Sequence, residues 1–296
     1  MVQAEEARQR IADAHGIDPQ GIELVPVKAS GDKVLDRPLA DIGGKALWTK
    51  ELDDWLIAGD IDFAVHSAKD VETIRPDEIA MAAILPRGDV RDALIGAASI
   101  KDIPRGATVG TSAPRRAAQL LNARPDCKVI PFRGNVATRL GKLDAGEADA
   151  TFLAAAGLQR LGQASTGALL PADDWLPAPG QAAIAIECRT SDAEMRAILD
   201  AVNDPSSQAS VLAERALLER LGGNCHSPVA VLTISSEGML NMRAALFSPD
   251  GADRVDADAT FAPGTPDGPT RLAAELLSMA PPSIAMHFSG ADAPAP

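Results

Sequence analysis

Tyrosine is absent from this 296-residue chain, and aromatic residues together make up only 3% of it. A protein so poor in stacking platforms has little with which to hold unpaired bases. Basic residues are also in deficit, 28 Lys and Arg against 41 Asp and Glu, for a formal net charge of −13. That balance repels a phosphate backbone, so no nucleic-acid partner is expected. No stretch approaches about 18 uninterrupted apolar residues, which excludes a helical membrane span. Residues 1–30 lack a basic start followed by an apolar run, so no secretory signal is read there and the cytoplasm is the expected location. The cysteines are few and far apart, Cys127, Cys188 and Cys225. An odd, scattered set argues against a disulfide framework and against CxxC-type metal ligands, and no metal is expected. Neither a Gly-rich P-loop nor a Ser/His/Asp order is legible, which leaves nucleotide binding and nucleophilic hydrolysis with little support.

What the chain does have is 46% apolar residues, enough for two or three domains that each bury a core. Strand and helix patterns alternate. Strands are predicted at 22–27, 61–67, 107–112, 128–132 and 148–154, with helices at 46–59, after Pro114 and around 135–146. This alternation predicts parallel sheets with helices on their faces and a ligand site beyond the strands' carboxyl ends. Three prolines within 171–183 mark a change, after which a strand at 183–189 and helices at 191–202 and 207–223 lead into a β-rich tail. The last third reads as a separate α+β domain with a frayed end, FSGADAPAP. The helix EEARQRIADAHG at the start has no capping residue and no strand before it. It fits a missing first strand, and equally a fold that opens with a helix.

The chemistry gathers in a few segments. Arg115 and Arg116 follow Gly110, Thr111 and Ser112 in GTSAPRR, and Arg133 and Arg139 lie in FRGNVATRLGKL. Guanidinium forks match carboxylates or phosphates bidentately, and a helix start adds free N–H groups and a positive dipole end. For the second segment a solvated basic face fits as well. HSAKD ends a predicted buried strand with Ser67, Lys69 and Asp70, a carboxylate beside a cation. It suits a proton donor or acceptor, and also a capping Asp with a surface Lys. His66 reads as a hydrogen-bonding residue. Cys225, in LGGNCHSPVA, reads either as an inert thiol or as one displayed on a tight loop for covalent use.

Taken in order, GGKALWTKEL, DFAVHSAKDV, VGTSAPRRAAQL, FRGNVATRLGKLDAGEADATFLAAAGLQRLG, LPAPGQAAIAIECR and AERALLERLGGNCHSPVA resemble the hydroxymethylbilane synthase, or porphobilinogen deaminase, family across roughly 20–230. The resemblance implies an enzyme of tetrapyrrole biosynthesis that joins four porphobilinogen molecules head to tail, releases ammonia and hydrolyses the product free as hydroxymethylbilane. It implies a dipyrromethane cofactor held through a cysteine thioether, which Cys225 matches. Asp70 matches the catalytic carboxylate. Lys69, Ser67, Thr111, Ser112, Arg115, Arg116, Arg133, Arg139, Gln181 and Lys45 match substrate and cofactor contacts.

The implied fold is α/β, with two periplasmic-binding-protein-like domains, 1–86 with 180–200 and 87–179, plus a C-terminal α+β domain, 201–296, bearing the cysteine loop. A monomer is expected, away from membranes, with transient hand-over of product to the next enzyme of the pathway. The chain departs from the family pattern at Glu72, Ala113, Pro114, Ala182 and Asn224, and it starts after the family's first strand and its RxSxLA-type segment. Domain 1 is therefore expected to lack its first strand. A binding module of the periplasmic type would also gather arginines at strand ends, but it would need neither Asp70 nor a reactive thiol.

Overall fold

The computed structural model describes residues 1–27, 49–224, 226–265, 267–288 and 290. Lys45, Cys225 and most of the end expected to fray lie outside the described residues. The chain opens with α1 (Val2–His15), which turns Ala7, Ile11 and Ala12 into a core, lacks a side-chain N-cap and stops at left-handed Gly16. No strand forms at 22–27, although Ile22 packs on that core. Pro26 removes one backbone donor, and no strand pairs with the segment among the described residues.

Next come α2 (Lys50–Ala58), β1 (Phe63–Ser67) and β2 (Ile79–Ile84), then β3 (Asp92–Ile95) and β4 (Thr108–Gly110). They are followed by α3 (Pro114–Ala123), β5 (Lys128–Ile130), α4 (Val136–Asp144), β6 (Ala150–Ala154), α5 (Ala155–Arg160) and β7 (Ala168–Leu169). The chain then returns as β8 (Ile184–Arg189) and continues through α6 (Ala193–Asp200) and α7 (Pro205–Arg220). It closes with β9 (Val229–Ser236), β10 (Met239–Phe247), β11 (Arg254–Phe261), α8 (Asp267–Met279) and α9 (Pro282–Ala285).

These strands make three sheets, ordered β1-β8-β2, β5-β4-β6-β3-β7 and β11-β10-β9. The expectation of parallel sheets needs correction. β8 runs antiparallel to both its neighbours, and β3 is antiparallel to β6 and β7, while β4 pairs parallel with β5 and β6. A strand returned by a helical crossover comes back parallel. β3 and β8 instead enter directly from the other sheet, one outbound and one returning, so no such crossover sets their direction. The third sheet is an antiparallel meander whose Val229, Val231, Leu240 and Met242 pack with Leu217 of α7 and Leu272 of α8. Among the described residues no helix is long and apolar enough to cross a membrane.

Two crossover segments join the first two sheets, and they are stitched together. Gly88 N donates to Ala182 O at 3.3 Å, and Arg87 Nε donates to Gln181 O at 2.9 Å. Glu214 of α7 binds both crossovers, accepting from two Arg87 nitrogens at 2.9 and 3.0 Å and from Gly180 N at 2.7 Å. Within this junction Ala182 adopts φ 69, a left-handed conformation that strains any residue with a β-carbon. Ala182→Gly should therefore raise unfolding stability by about 1 kcal/mol. Urea titration checks this, and a loss of stability would show that the strain is absent.

Candidate active site

Ser67 ends β1, and the chain passes through one 3₁₀ turn, Ala68–Asp70, before leaving the sheet. Gly180 of the returning crossover lies against that turn. A β-carbon there would come within 3.0 Å of Lys69 N and 3.1 Å of the Ala68 carbonyl carbon, so only glycine permits the approach. Asp70 is exposed and Lys69 partly so. Burial pushes the Lys69 ammonium below its ordinary pKa and Arg116 and Arg115 lower it further, while Asp70 and Asp92 pull it back up. Gln3 Nε2 also donates to Ser67 Oγ at 3.1 Å, so the first turn of α1 reaches this turn. The sequence offered no signal for Gln3 beyond its place on a helix.

At the end of β4, Thr111 is buried and its hydroxyl accepts from Ala113 N, while Ser112 Oγ donates to Phe132 O at 2.9 Å and ties the ends of β4 and β5 together. α3 then starts at Pro114, where a fixed φ and a missing N–H cost nothing. Its first turn departs from the expectation of open anion binders. Arg115 and Arg116 are each only 4% exposed, and both turn onto Asp92, the first residue of β3.

Asp92 is fully buried and accepts from Arg115 at 2.7 Å, from Arg116 at 2.7 and 3.1 Å, from Gln181 at 2.9 Å and from Trp175 Nε1 at 2.9 Å. Burial alone would raise its pKa, but the two guanidinium charges and their hydrogen bonds hold it well below the usual carboxylate range. Sequence reading passed over Asp92. Its one signal is an acid opening the otherwise apolar strand DALI. Gln181, expected as a ligand contact, donates to Asp92 and to Val90 O and so belongs to this buried cluster.

α4 is capped by Asn135, whose side chain accepts from Thr138 N. Arg139 bends back toward that start, its Nε donating to Gly134 O at 2.9 Å. Burial lowers the Arg139 pKa to about 10, with Arg116 pushing it down and Asp70 drawing it up. The turn of the first sheet and the helix starts of the second thus share one electrostatic environment. Arg133 lies near the loop that carries residue 225, because the His226 imidazole, lowered chiefly by burial, is lowered further by Arg133.

The arrangement suits a ligand with several carboxylates. Arg116 repels both Lys69 and Arg139 in a desolvated setting, and among the described residues neither Lys69 nor Arg139 makes a salt bridge. The buried Nε of Arg115 has no hydrogen-bond partner among them either. Two guanidinium charges face the single carboxylate of Asp92, so the cluster keeps a positive excess that an anionic guest relieves.

Residues 1–197 match the family model described as "Porphobilinogen deaminase, dipyromethane cofactor binding domain", and residues 208–278 match "Porphobilinogen deaminase, C-terminal domain". The chain belongs to the porphobilinogen deaminase family. The porphobilinogen deaminase of Sphingopyxis alaskensis is 49% identical over 98% of this chain and 93% of its own length. That of Paracoccus denitrificans is 47% identical over 95% and 91%, and the chloroplastic porphobilinogen deaminase of Oryza sativa subsp. japonica is 44% identical over 88% and 74%. The periplasmic VFT2 domain of Bordetella pertussis BvgS is similar at a TM-score of 0.38 and 18% identity, over 73% of this chain and 80% of its own, too loosely to bear on function. As a porphobilinogen deaminase family member the chain is a transferase, a hydroxymethylbilane synthase of tetrapyrrole synthesis, with a dipyrromethane-binding domain.

Proposed function

We propose that this chain carries out the porphobilinogen deaminase reaction at the site formed by Asp70, Lys69, Ser67, Thr111, Ser112, Arg133 and Arg139, with dipyrromethane attached through Cys225. The observation that carries this reading is the set of desolvated cations around an exposed carboxylate, Asp70. Porphobilinogen bears acetate and propionate arms, so each added ring brings two carboxylates to be met by Lys69, Arg139 and Arg133. Arg115 and Arg116 act mainly through their field, since Asp92 already holds their forks. Gln181 orients Asp92, and Ser67 and Ser112 lend hydroxyls at the strand ends. Lys45 is assigned a supporting contact on family resemblance alone.

Dipyrromethane, when bound, supplies the pyrrole carbon on which substrate rings are joined; Cys225 would carry it and the arginines would hold its carboxylates. Asp70 supplies a proton to the departing amine of porphobilinogen, and its carboxylate then faces the positive charge left on the substrate ring. Because Lys69 and Arg139 flank it, the same site binds the carboxylate arms and orients the ring toward Asp70.

The division into 1–86 with 180–200, 87–179 and 201–296 fits this chemistry, with binding groups on the first two units and the attachment loop on the third. The absence of any helix suited to a membrane among the described residues is compatible with a cytoplasmic monomer that hands its product to the next enzyme of the pathway. The test is the denatured intact mass of the chain beside a Cys225→Ser control. An excess equal to two linked pyrrole units, absent from the control, is expected. An unmodified mass together with no hydroxymethylbilane formation would sink the reading.

A further inference from the structure

We infer that Arg215, which none of the proposed chemistry uses, is the positioning residue that fixes Asp70 relative to the loop bearing residue 225. The inference rests on the reading of Asp70 as the carboxylate that handles the proton.

Between the turn holding Asp70 and the start of β2, residues 71–78 form neither helix nor strand. No hydrogen-bonded ladder sets the direction of this stretch, so its side-chain contacts must. Arg215, projecting from α7, donates Nη1 to Val71 O at 3.4 Å and Nη2 to Glu72 O at 2.5 Å and Thr73 O at 2.9 Å. One guanidinium therefore holds three successive carbonyls immediately after Asp70. Hydrogen bonds from a charged donor are the stronger kind, and the planar fork limits how the stretch can rotate. Thr73 adds a second tie, its Oγ1 donating to Gly223 O at 3.2 Å.

The other end of the same stretch is held by a different unit. Arg75 donates to Asp53 of α2, at 3.0 Å through Nη1, and to Glu187 of β8, at 3.0 Å through Nε and 2.8 Å through Nη2. The segment is thus anchored to the first sheet through Arg75 and to α7 through Arg215. α7 ends at Arg220, and the chain runs from it through Gly223 and Asn224 to residue 225. Beyond the helix, Asn224 N donates to Ser227 Oγ and Asn224 Oδ1 accepts from His226 N, so the loop is braced on both sides of residue 225. One rigid helix therefore grips the backbone beside Asp70 with a side chain and supplies the attachment loop from its end. Groups that react together but sit on separate elements need such a brace, because misplacement by about 1 Å costs on the order of 100-fold in rate.

The experiment compares Arg215→Gln, Arg215→Lys, Thr73→Val and Asp70→Asn in the full chain. Arg215→Gln should lower kcat on the order of 100-fold with KM for porphobilinogen little changed, because Lys69 and Arg139 are untouched. Arg215→Lys, a point donor without the fork, should fall between that variant and the parent. Independently of activity, deuterium uptake in peptides covering 70–75 and 219–227 should rise together in Arg215→Gln. If that variant does not fold, Thr73→Val should give the same pattern with a smaller fall in kcat. An unchanged kcat, an effect on KM alone, or uptake confined to 70–75 would overturn the inference. Turnover surviving in Asp70→Asn would instead bring down the reading of the carboxylate, while joint loosening in Arg215→Gln would still establish the brace.

Discussion

Asp70→Asn should leave the protein folded and able to carry its cofactor, yet lower kcat by on the order of 10²- to 10⁴-fold. The side chain is exposed, so an isosteric amide disturbs no packing. What disappears is a group that can give up a proton and then stand as an anion beside a positive ring. The cations make the outcome specific. Lys69 and Arg139 both feel Asp70 as an attractive charge, and removing it leaves them more strongly positive toward substrate carboxylates. KM should therefore hold or fall while kcat collapses, and a steady-state titration with porphobilinogen separates the two. Normal turnover would remove Asp70 from its role.

The second large effect is on stability. Asp92→Asn should destabilise the fold by about 3–5 kcal/mol, because it leaves two buried guanidinium groups facing a neutral amide. That is a sizeable part of the roughly 5–15 kcal/mol by which folded proteins are stable. The amide would also turn an N–H₂ donor toward other donors, since Arg115, Arg116, Gln181 and Trp175 all donate to this carboxylate. The pH dependence gives a second reading. The pKa of Asp92 is depressed on folding, so its contribution is fully present above the unfolded value near 3.9 and is lost as pH falls through the folded one. The difference in urea midpoint between parent and variant should be widest at neutral pH and narrow below about pH 4. A pH-independent difference would show that folding leaves the pKa of Asp92 where it lies in the unfolded chain, and would remove the ion pairs from this account.

Much of the fold was legible locally. The helix after Pro114, the strand ending in HSAKD and the basic helix after Asn135 follow from apolar periodicity and capping residues, which act over a few neighbours. The expected strand at 22–27 failed because a strand exists only when another pairs with it, and pairing is not a local property. Sheet direction failed similarly. Hydrophobic alternation is the same whichever way a strand enters, and only the paths of β3 and β8 between the sheets decide it.

By itself the sequence determined the chemical inventory: an acidic chain poor in stacking groups, with guanidinium and hydroxyl residues at predicted strand ends and one carboxylate beside a lysine. Those are properties of residue types and short spacings; the family was reached only through the resemblance carried by the ordered motif segments from GGKALWTKEL to AERALLERLGGNCHSPVA. Only the tertiary structure decided where each charge is spent. Arg115 and Arg116 look equivalent to Arg139 in the sequence, yet Asp92, 23 residues before Arg115, claims both of them and not Arg139. Arg215 looks like an ordinary helix residue until carbonyls 142 to 144 positions away converge on it. A charge takes the partner that burial brings within hydrogen-bonding distance, and burial is set by the packing of whole elements rather than by neighbours in the chain.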